Sequence, residues 1–201
     1  MKKDKKIKGN ARYIIKVAIL AAMAGMLMLI EFPLGFAPSF YKMDLSDLPA
    51  MIGGFALGPV AAAIIEFLKN VIHILIKGTS TAFVGELANF VTSCALVVPA
   101  ALIYKYKKSF TGAIIGMIAG TATIAVVGSL MNYFILIPTF SKLYHLPLDS
   151  IIAMGTSANE SITNLKTLVL FAVVPFNLLK GVICSLITLP IYKRVSPLLH
   201  R

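Results

Sequence analysis

The stretch Gly112–Ile137, GAIIGMIAGTATIAVVGSLMNYFILI, carries no charged residue and is long enough, at ~1.5 Å per residue, to cross a ~30 Å hydrocarbon core as one helix. Similar apolar stretches recur along the 201 residues, of which 58% are hydrophobic and 13% charged, with a mean hydropathy of +0.88. Soluble domains carry ~25% charged residues. The composition therefore indicates an integral membrane protein and excludes a separate soluble catalytic domain.

The apolar segments and their breaks predict an all-α integral membrane fold, a single bundle of six transmembrane helices that forms one domain over residues 1–201. The Gly58-Pro59 pair ends one helix and starts the next, and we expect Pro175 to break the long final apolar stretch. The predicted helices span about 13–30, 48–57, 59–76, 83–104, 112–137 and 172–192, with outer loops at 31–47 and 138–164. The second loop is long enough to hold one short helix.

The net charge of +11 comes from basic residues that cluster at the ends of the apolar segments. Residues 1–16, 105–108 and 193–201 together hold 13 of the 19 Lys and Arg. By the positive-inside rule, both termini are predicted to be cytoplasmic in the cell membrane. These clusters are not interleaved with exposed aromatic residues, so nucleic acid is not an expected partner. Cys94 and Cys184 stand singly in apolar runs, which excludes a disulfide framework or a zinc site.

Polar residues within the predicted spans are costly to bury and are therefore candidates for function. Glu86 and Asn89 are three residues apart on one helix, as are Asn177 and Lys180 on another, and Asn132 precedes Pro138. Amides and an ammonium suit a neutral ligand that has both donors and acceptors, whereas a metal would need more oxygen or imidazole ligands. The alternative is that these groups only join helices to one another.

Two further groups of polar residues have structural explanations that we favour. Glu66 and Lys69 are expected to form a pair, with His73 on the same helix face as a satisfied polar residue near the outer boundary. Asp44 and Asp47 have a spacing that metal-dependent membrane transferases use, but Ser46 or Asp47 as the cap of the following helix explains their position equally well.

Small residues recur at four-residue intervals on two helices and predict close helix packing. Gly112, Gly116 and Gly120, with Gly128 further along, are expected to pack within the bundle. Ala18 and Ala22 lie on the first helix, which is terminal in sequence. Their face, which overlaps the pair Ala21 and Gly25, is therefore a candidate surface for another protein.

Together these elements resemble the substrate-binding S components of energy-coupling factor (ECF) vitamin transporters, most closely the riboflavin-specific members, the RibU family. The resemblance covers nearly the whole chain, and the order and spacing of its motifs make it specific. The matching stretches are the basic start with Ala18/Ala22, Tyr-Lys-Met-Asp-Leu-Ser-Asp-Leu-Pro (41–49), Gly58-Pro59 with Glu66, Lys69 and Asn70, Gly-Thr-Ser-Thr (78–81), Gly85-Glu86 with Asn89-Phe90, Asn-Tyr-Phe (132–134), and Pro-Phe-Asn (175–177) with Lys180.

The resemblance implies a ligand and a set of contacts. Asn132, Asn177 and Lys180 would contact the flavin ring, whose pyrimidine edge has two carbonyls and one N–H. Further candidates for ligand binding, from the covering loop and as partners of the ribityl hydroxyls, are Tyr41, Met43, Asp44, Thr81, Glu86 and Asn89.

The resemblance also implies partners. Since the sequence has no Walker motif, this chain is not expected to be an enzyme that hydrolyses ATP. The implied partners are a transmembrane coupling subunit, which Ala18 and Ala22 would meet, and two cytosolic ATPases. Neither a metal nor a cofactor is implied, because riboflavin is the transported ligand. The alternatives are an S component for another vitamin, a membrane transferase that uses Asp44 and Asp47 with a metal, and a passive channel.

Overall fold

The computed structural model describes the backbone of residues 2–38 and 41–199 and the side chains of residues 11–38 and 41–192. Residues 39 and 40 of the predicted first outer loop lie outside the described residues, as do the side chains of the basic clusters at 1–10 and 193–201. Between these limits the regular secondary structure is helical apart from two short strands, so the predicted all-α class is confirmed.

The elements follow the predicted order along the chain. A π-helical turn at Asn132–Leu136 joins α5 to α6, and a second at Val169–Val173 joins α8 to α9. The short strands pair antiparallel, with Phe32 opposite Met43. The bounds are α1 (Lys2–Met28), β1 (Phe32–Pro33), β2 (Lys42–Met43), α2 (Asp47–Leu57), α3 (Pro59–Lys77), α4 (Val84–Tyr106), α5 (Phe110–Met131), α6 (Ile137–Leu143), α7 (Leu148–Thr156), α8 (Leu165–Leu168) and α9 (Val174–Leu199).

Five helical stretches of the described chain are long and apolar enough to cross a membrane, where the sequence predicted six. They are Ala11–Met28, Pro59–Lys77, Val84–Tyr106, Phe110–Leu143 and Leu165–Tyr192. The remaining apolar helix, α2, has 11 residues and reaches only about 16 Å. It is buried along most of its length against α1, α3, α4 and α9, and at Gly58 (φ 102°) the chain turns directly into α3.

The two last long helices differ from the prediction at their prolines. Helix α5 was expected to end at Ile137, yet it continues through the π-helical turn and α6 to Leu143. Pro175 does not break its helix either, which runs on from Leu165 through the second π-helical turn. In both cases the π-helical turn ends just before the proline. The extra residue of such a turn loosens the hydrogen-bond ladder where proline has no N–H to donate, so the helix continues.

Glycines bring α5 against the backbone of α4, as predicted for packing within the bundle. A Cβ at Gly116 would lie 2.6 Å from the carbonyl oxygen of Ala100, and a Cβ at Gly120 would lie 2.2 Å from that of Leu96. Gly25 of α1 instead faces a side chain of α3, since a Cβ there would lie 2.6 Å from Cγ2 of Ile72. These contacts surround the larger apolar core, which is built from α1, α2, α3, α4, α5 and α9.

Candidate functional site

A cavity of about 780 Å³ opens at the end of the bundle where the strands, the α3–α4 turn and α6–α7 meet. Its volume falls within the range typical of small-molecule sites. The structure brings eight of the nine predicted ligand-binding residues to its wall: Tyr41, Asp44, Thr81, Glu86, Asn89, Asn132, Asn177 and Lys180. Met43 does not line it. That side chain is 1% exposed, because β2 points it into the protein behind Asp44.

Asn132 stands where α5 passes into its π-helical turn. Its Nδ2 donates to the carbonyl oxygen of Gly128 at 2.8 Å, and its Oδ1 accepts a 2.5 Å hydrogen bond from the hydroxyl of Tyr41. The Tyr41 ring also packs on Phe176, with ring centroids 5.5 Å apart. Burial raises the pKa of Tyr41 above its usual range, so its hydroxyl stays a neutral donor. Tyr41 thereby ties the first loop to the cavity wall.

Asn177 lines the same cavity from α9. Its Nδ2 donates to the carbonyl oxygen of Val173 at 2.9 Å, one turn earlier in the same helical stretch. A Cβ at Gly128 would lie 2.6 Å from this Nδ2, so the absence of a side chain at Gly128 makes room for Asn177. Each amide thus donates one N–H to a carbonyl oxygen of its own helical stretch, and this hydrogen bond fixes the orientation of the amide.

Lys180, one turn beyond Asn177, lies between the cavity and two buried carboxylates. Its Nζ is 3.1 Å from Oδ2 of Asp47 and 3.9 Å from Oδ2 of Asp44. Ser46 is the residue before α2, but its side chain caps no N–H, and Asp44 Oδ1 accepts from the Ser46 amide at 2.7 Å. Neither Ser46 nor Asp47 therefore caps α2 through its side chain. The Asp47 carboxylate forms ion pairs with Lys69 and Lys180 instead.

Beneath Lys180, a buried charge network links α2, α3 and α4. Lys69 Nζ donates to Asp47 Oδ1, forms an ion pair with Glu66 Oε2 at 2.6 Å, and donates to Ser93 Oγ at 3.3 Å. The predicted pair of Glu66 and Lys69 is therefore present, and both side chains are fully buried. The network's extension to Asp47 was not predicted, because that contact joins residues 22 apart in the chain.

The other polar wall comes from the α3–α4 turn. Oε2 of Glu86, in the first turn of α4, accepts from the hydroxyls of Thr81 at 2.7 Å and Thr79 at 3.1 Å. Asn89 lies one turn further along α4 and lines the same wall. His73 also lines the cavity, and its buried Nδ1 has no partner among the described residues. The expectation that His73 is a satisfied polar residue therefore does not hold for this nitrogen.

An ion-pair cluster of Glu31, Lys42 and Lys77 forms the rim. Glu31 Oε1 lies 2.8 Å from Nζ of Lys42 and 2.5 Å from Nζ of Lys77, so one carboxylate joins the loop to the end of α3. Burial alone would raise the pKa of Glu31, but the hydrogen bonds and charges of the two lysines lower it below its ordinary value. Tyr144 adds a 2.9 Å hydrogen bond to the carbonyl oxygen of Ser80.

The cavity combines apolar walls with this polar floor. Its apolar lining includes Leu136, Ile137, Phe140 and Phe176. Such an arrangement can take a ligand that has one apolar edge and one edge rich in donors and acceptors. Beyond the floor, the bundle is filled by fully buried side chains such as Leu96 and Val97, which disfavours a channel. Among the described residues, no group of three His, Cys, Asp or Glu could hold a metal ion.

Comparison with known proteins gives concordant similarities. Residues 12–192 match the family described as "ECF transporter, substrate-specific component". The chain is 31% identical over 188 residues to the riboflavin transporter RibU of Staphylococcus aureus (strain TCH60), covering 94% of this chain and 92% of that protein. It is 31% identical over 189 residues to the riboflavin transporter FmnP of Bacillus subtilis (strain 168), covering 94% of each.

A solved structure described as "Structure and mechanism of the S component of a bacterial ECF transporter" has the same fold. It superposes with a TM-score of 0.73 at 31% identity, over 96% of this chain and 99% of that one.

Proposed function

The chain belongs to the family of substrate-specific components of ECF transporters, and we propose from this premise that its cavity captures riboflavin for uptake. It is a transport subunit and not an enzyme, and it is a multi-pass protein of the cell membrane. The observation that carries the ligand assignment is that Asn132, Asn177 and Lys180 all line the one cavity. Riboflavin is the transported substrate and not a cofactor.

The pyrimidine edge of the flavin ring would lie against Asn132, Asn177 and Lys180. That edge presents two carbonyls and one N–H, which two amides and an ammonium can satisfy together. Because each amide has one N–H fixed to its own helix, its remaining groups are held in a defined direction. The apolar side chains around Phe176 and Ile137 suit the dimethylbenzene edge of the ring.

The remaining predicted residues receive roles around the rest of the ligand. We assign the ribityl hydroxyls to Thr81, Glu86 and Asn89, whose oxygens and amide line the wall of the α3–α4 turn. Tyr41 and Asp44 would cover the ligand from the first loop. Met43 would contribute indirectly. Its side chain faces away from the cavity and would hold β2, and with it the loop, against the protein.

For the topology, we propose six crossings in a single domain of residues 1–201, with both termini cytoplasmic. The sixth crossing would be the short apolar α2 together with the chain that precedes it from Met43, because this stretch is largely buried by protein and α2 joins α3 directly at Gly58. The clustering of Lys and Arg at the two ends of the chain and at 105–108 supports this orientation. The cavity then faces outward, where the vitamin is captured.

Uphill transport needs further subunits. We propose a transmembrane coupling subunit and two cytosolic ATPases as partners, as the family of the chain suggests. Ala18 and Ala22 are the candidate contact with the coupling subunit, because both side chains are exposed on α1. The inward face of the same helix carries Ala21, Ala24 and Gly25. Small exposed residues four apart allow another helix to approach closely.

Titration of the purified protein with riboflavin tests the ligand assignment. We expect saturable quenching of flavin fluorescence that survives EDTA, because no metal takes part in the proposed site. Lys180→Met should weaken binding by about 1.5–3 kcal/mol, the value of a hydrogen bond from a charged donor. If riboflavin fluorescence is not quenched and another vitamin binds saturably, the ligand of this S component is that other vitamin. Loss of binding on chelation, restored by magnesium, would revive a metal-dependent reaction at Asp44 and Asp47.

A double variant of Ala18 and Ala22 to Leu separates binding from transport. Because both side chains point away from the bundle, we expect riboflavin affinity to stay within about threefold while uptake and copurification with the coupling subunit fall at least tenfold. Ala24→Leu is the matched control, since Ala24 is 0% exposed and its enlargement should lower stability instead. Normal uptake by the double variant would remove α1 from the interface.

A further inference from the structure

The ammonium of Lys180 is held from below by a carboxylate that is itself held on its other oxygen. Oδ2 of Asp47 lies 3.1 Å from Lys180 Nζ. Oδ1 of the same carboxylate accepts from Lys69 Nζ and, at 2.8 Å, from Ser93 Oγ. Because Oδ1 accepts two hydrogen bonds and Oδ2 forms an ion pair with Lys180, the carboxylate plane of Asp47 cannot turn without breaking a contact.

Four elements converge on this carboxylate. Asp47 begins α2, Lys69 lies on α3, Ser93 on α4 and Lys180 on α9. Lys69 is 0% exposed, and its ammonium contacts Asp47, Glu66 and Ser93. Ser93 Oγ in turn lies 3.5 Å from Oδ1 of Asn89, which lines the cavity. The network therefore reaches the cavity wall at Lys180 and again at Asn89.

Protein stability alone does not explain such a buried charge network. Removing paired charges from water costs several kcal/mol per ion, and replacing a buried ion pair with apolar residues is often neutral or stabilising. The surrounding core is otherwise apolar and tightly packed. A set of buried charges at the floor of a ligand cavity, and only one of its lysines exposed to that cavity, points to a role in the site.

We propose that Asp47 and Lys69 are positioning residues that set the direction and the effective charge of Lys180 for the ligand. This inference rests on the proposed function of the cavity. Asp47 fixes where the Lys180 ammonium stands, which leaves its other N–H groups for a ligand carbonyl. Lys69 shares the negative charge of Asp47, so Lys180 keeps a net attraction for a carbonyl oxygen of a neutral ligand. Ser93 locks the orientation of the shared carboxylate.

Asp44 explains why the positioning matters. Its Oδ2 is 3.9 Å from Lys180 Nζ, further than that of Asp47, and Asp44 itself lines the cavity. When the charge of Asp47 is lost, Asp44 becomes the nearest carboxylate to Lys180. The ammonium then moves toward Asp44 and forms an ion pair with it, which weakens its interaction with the ligand.

A double-mutant cycle on riboflavin affinity tests the proposal. Asp47→Asn keeps the size of the side chain and removes its charge, and it should weaken riboflavin binding at least about tenfold. In the Lys180→Met background, the same Asp47→Asn change should alter affinity less than about twofold, because the residue through which Asp47 acts is gone. A merely structural role of Asp47 predicts the same loss in both backgrounds, and equal losses would overturn the inference.

A second variant covers the case in which Asp47→Asn does not fold. Ser93→Ala removes the 2.8 Å hydrogen bond to Asp47 Oδ1, together with the longer contacts of Ser93 Oγ with Lys69 and Asn89. It should weaken binding about threefold in the wild-type background and leave affinity unchanged beside Lys180→Met. Asp149→Asn, the same change as Asp47→Asn on an exposed residue of α7, is the matched control and should leave affinity unchanged.

The cycle also separates failure of the positioning role from failure of the proposed function. Wild-type protein that binds riboflavin, with additive variants, overturns only the positioning role. Wild-type protein that does not bind riboflavin overturns both.

Discussion

The two ends of α5 use the same residue type for different purposes. In the half that begins at Phe110, Gly116 and Gly120 face backbone carbonyl oxygens of α4, which a Cβ would approach to 2.6 and 2.2 Å. At the cavity end, Gly128 faces the side-chain amide of Asn177, which a Cβ would approach to 2.6 Å. A carbonyl oxygen moves only with its helix, whereas an amide at the end of a side chain can turn aside.

This difference separates glycines that are needed for helix packing from a glycine that is needed for the cavity. The glycines of α5 that face α4 set the distance between two helices that both contribute to the larger core. Gly128 sets the position of one side chain, that of Asn177, so we expect it to affect ligand affinity and not stability. One substitution, Gly to Ala, should therefore give opposite readouts at the two ends.

The largest expected effect is that of Gly120→Ala. Since the new Cβ would meet the Leu96 carbonyl oxygen at 2.2 Å, α4 and α5 must separate, and we expect a loss of about 3 kcal/mol of stability. Thermal unfolding in detergent measures it. Protein that remains folded should bind riboflavin with nearly unchanged affinity. Unchanged stability would show that α4 and α5 are further apart than the structure has them.

Gly128→Ala should affect the ligand and not the fold. The Cβ pushes the amide of Asn177 from its place, and we expect riboflavin affinity to fall about tenfold, the value of roughly one hydrogen bond. Stability should stay the same or rise slightly, because alanine is the better helix former. Titration and thermal unfolding on the same preparation give both numbers. Equal affinity would place Asn177 outside the contacts that hold the ligand.

The sequence predicts the membrane class and eight of the residues that line the cavity, in part for reasons that are local. An amide or ammonium inside an apolar run is visible without a structure, and the i,i+3 spacing of Asn177 and Lys180 already places them on one face. The motif order around them adds the family resemblance, which the comparisons confirm.

What the sequence could not predict depends on contacts between distant segments or on backbone irregularity. Asp47 has the sequence position of a helix cap, and only the approach of Lys69 and Lys180 turns it into the centre of a charge network. Pro175 has the signature of a helix break, and only the preceding π-helical turn lets the helix continue. Met43 lies between two cavity residues, yet strand alternation points it the other way.

The smallest expected effect concerns the rim, where the charges lie near water instead of in the core. Glu31 joins Lys42 and Lys77, whose side chains are 45% and 46% exposed, so these pairs should be worth less than about 1 kcal/mol together. The pKa of Glu31 is lowered in the folded protein. Its stabilising contribution is therefore fully present above the ordinary pKa of 4.5 and is lost as the pH falls through the lower, folded value.

Melting temperatures of wild type and Glu31→Gln, compared at each pH from about 6 down to 3, isolate this contribution from that of the other acids. Wild type should be slightly more stable at pH 6, and the difference should vanish at the acid end. At pH 6, 1 M salt should also reduce the difference, because exposed pairs are screened, whereas the buried pair of Asp47 and Lys180 should be affected much less. Lys77→Gln, which removes one of the two partners, should reproduce part of the loss. A difference that persists unchanged at pH 3 would mean that Glu31 acts through packing and not through its charge.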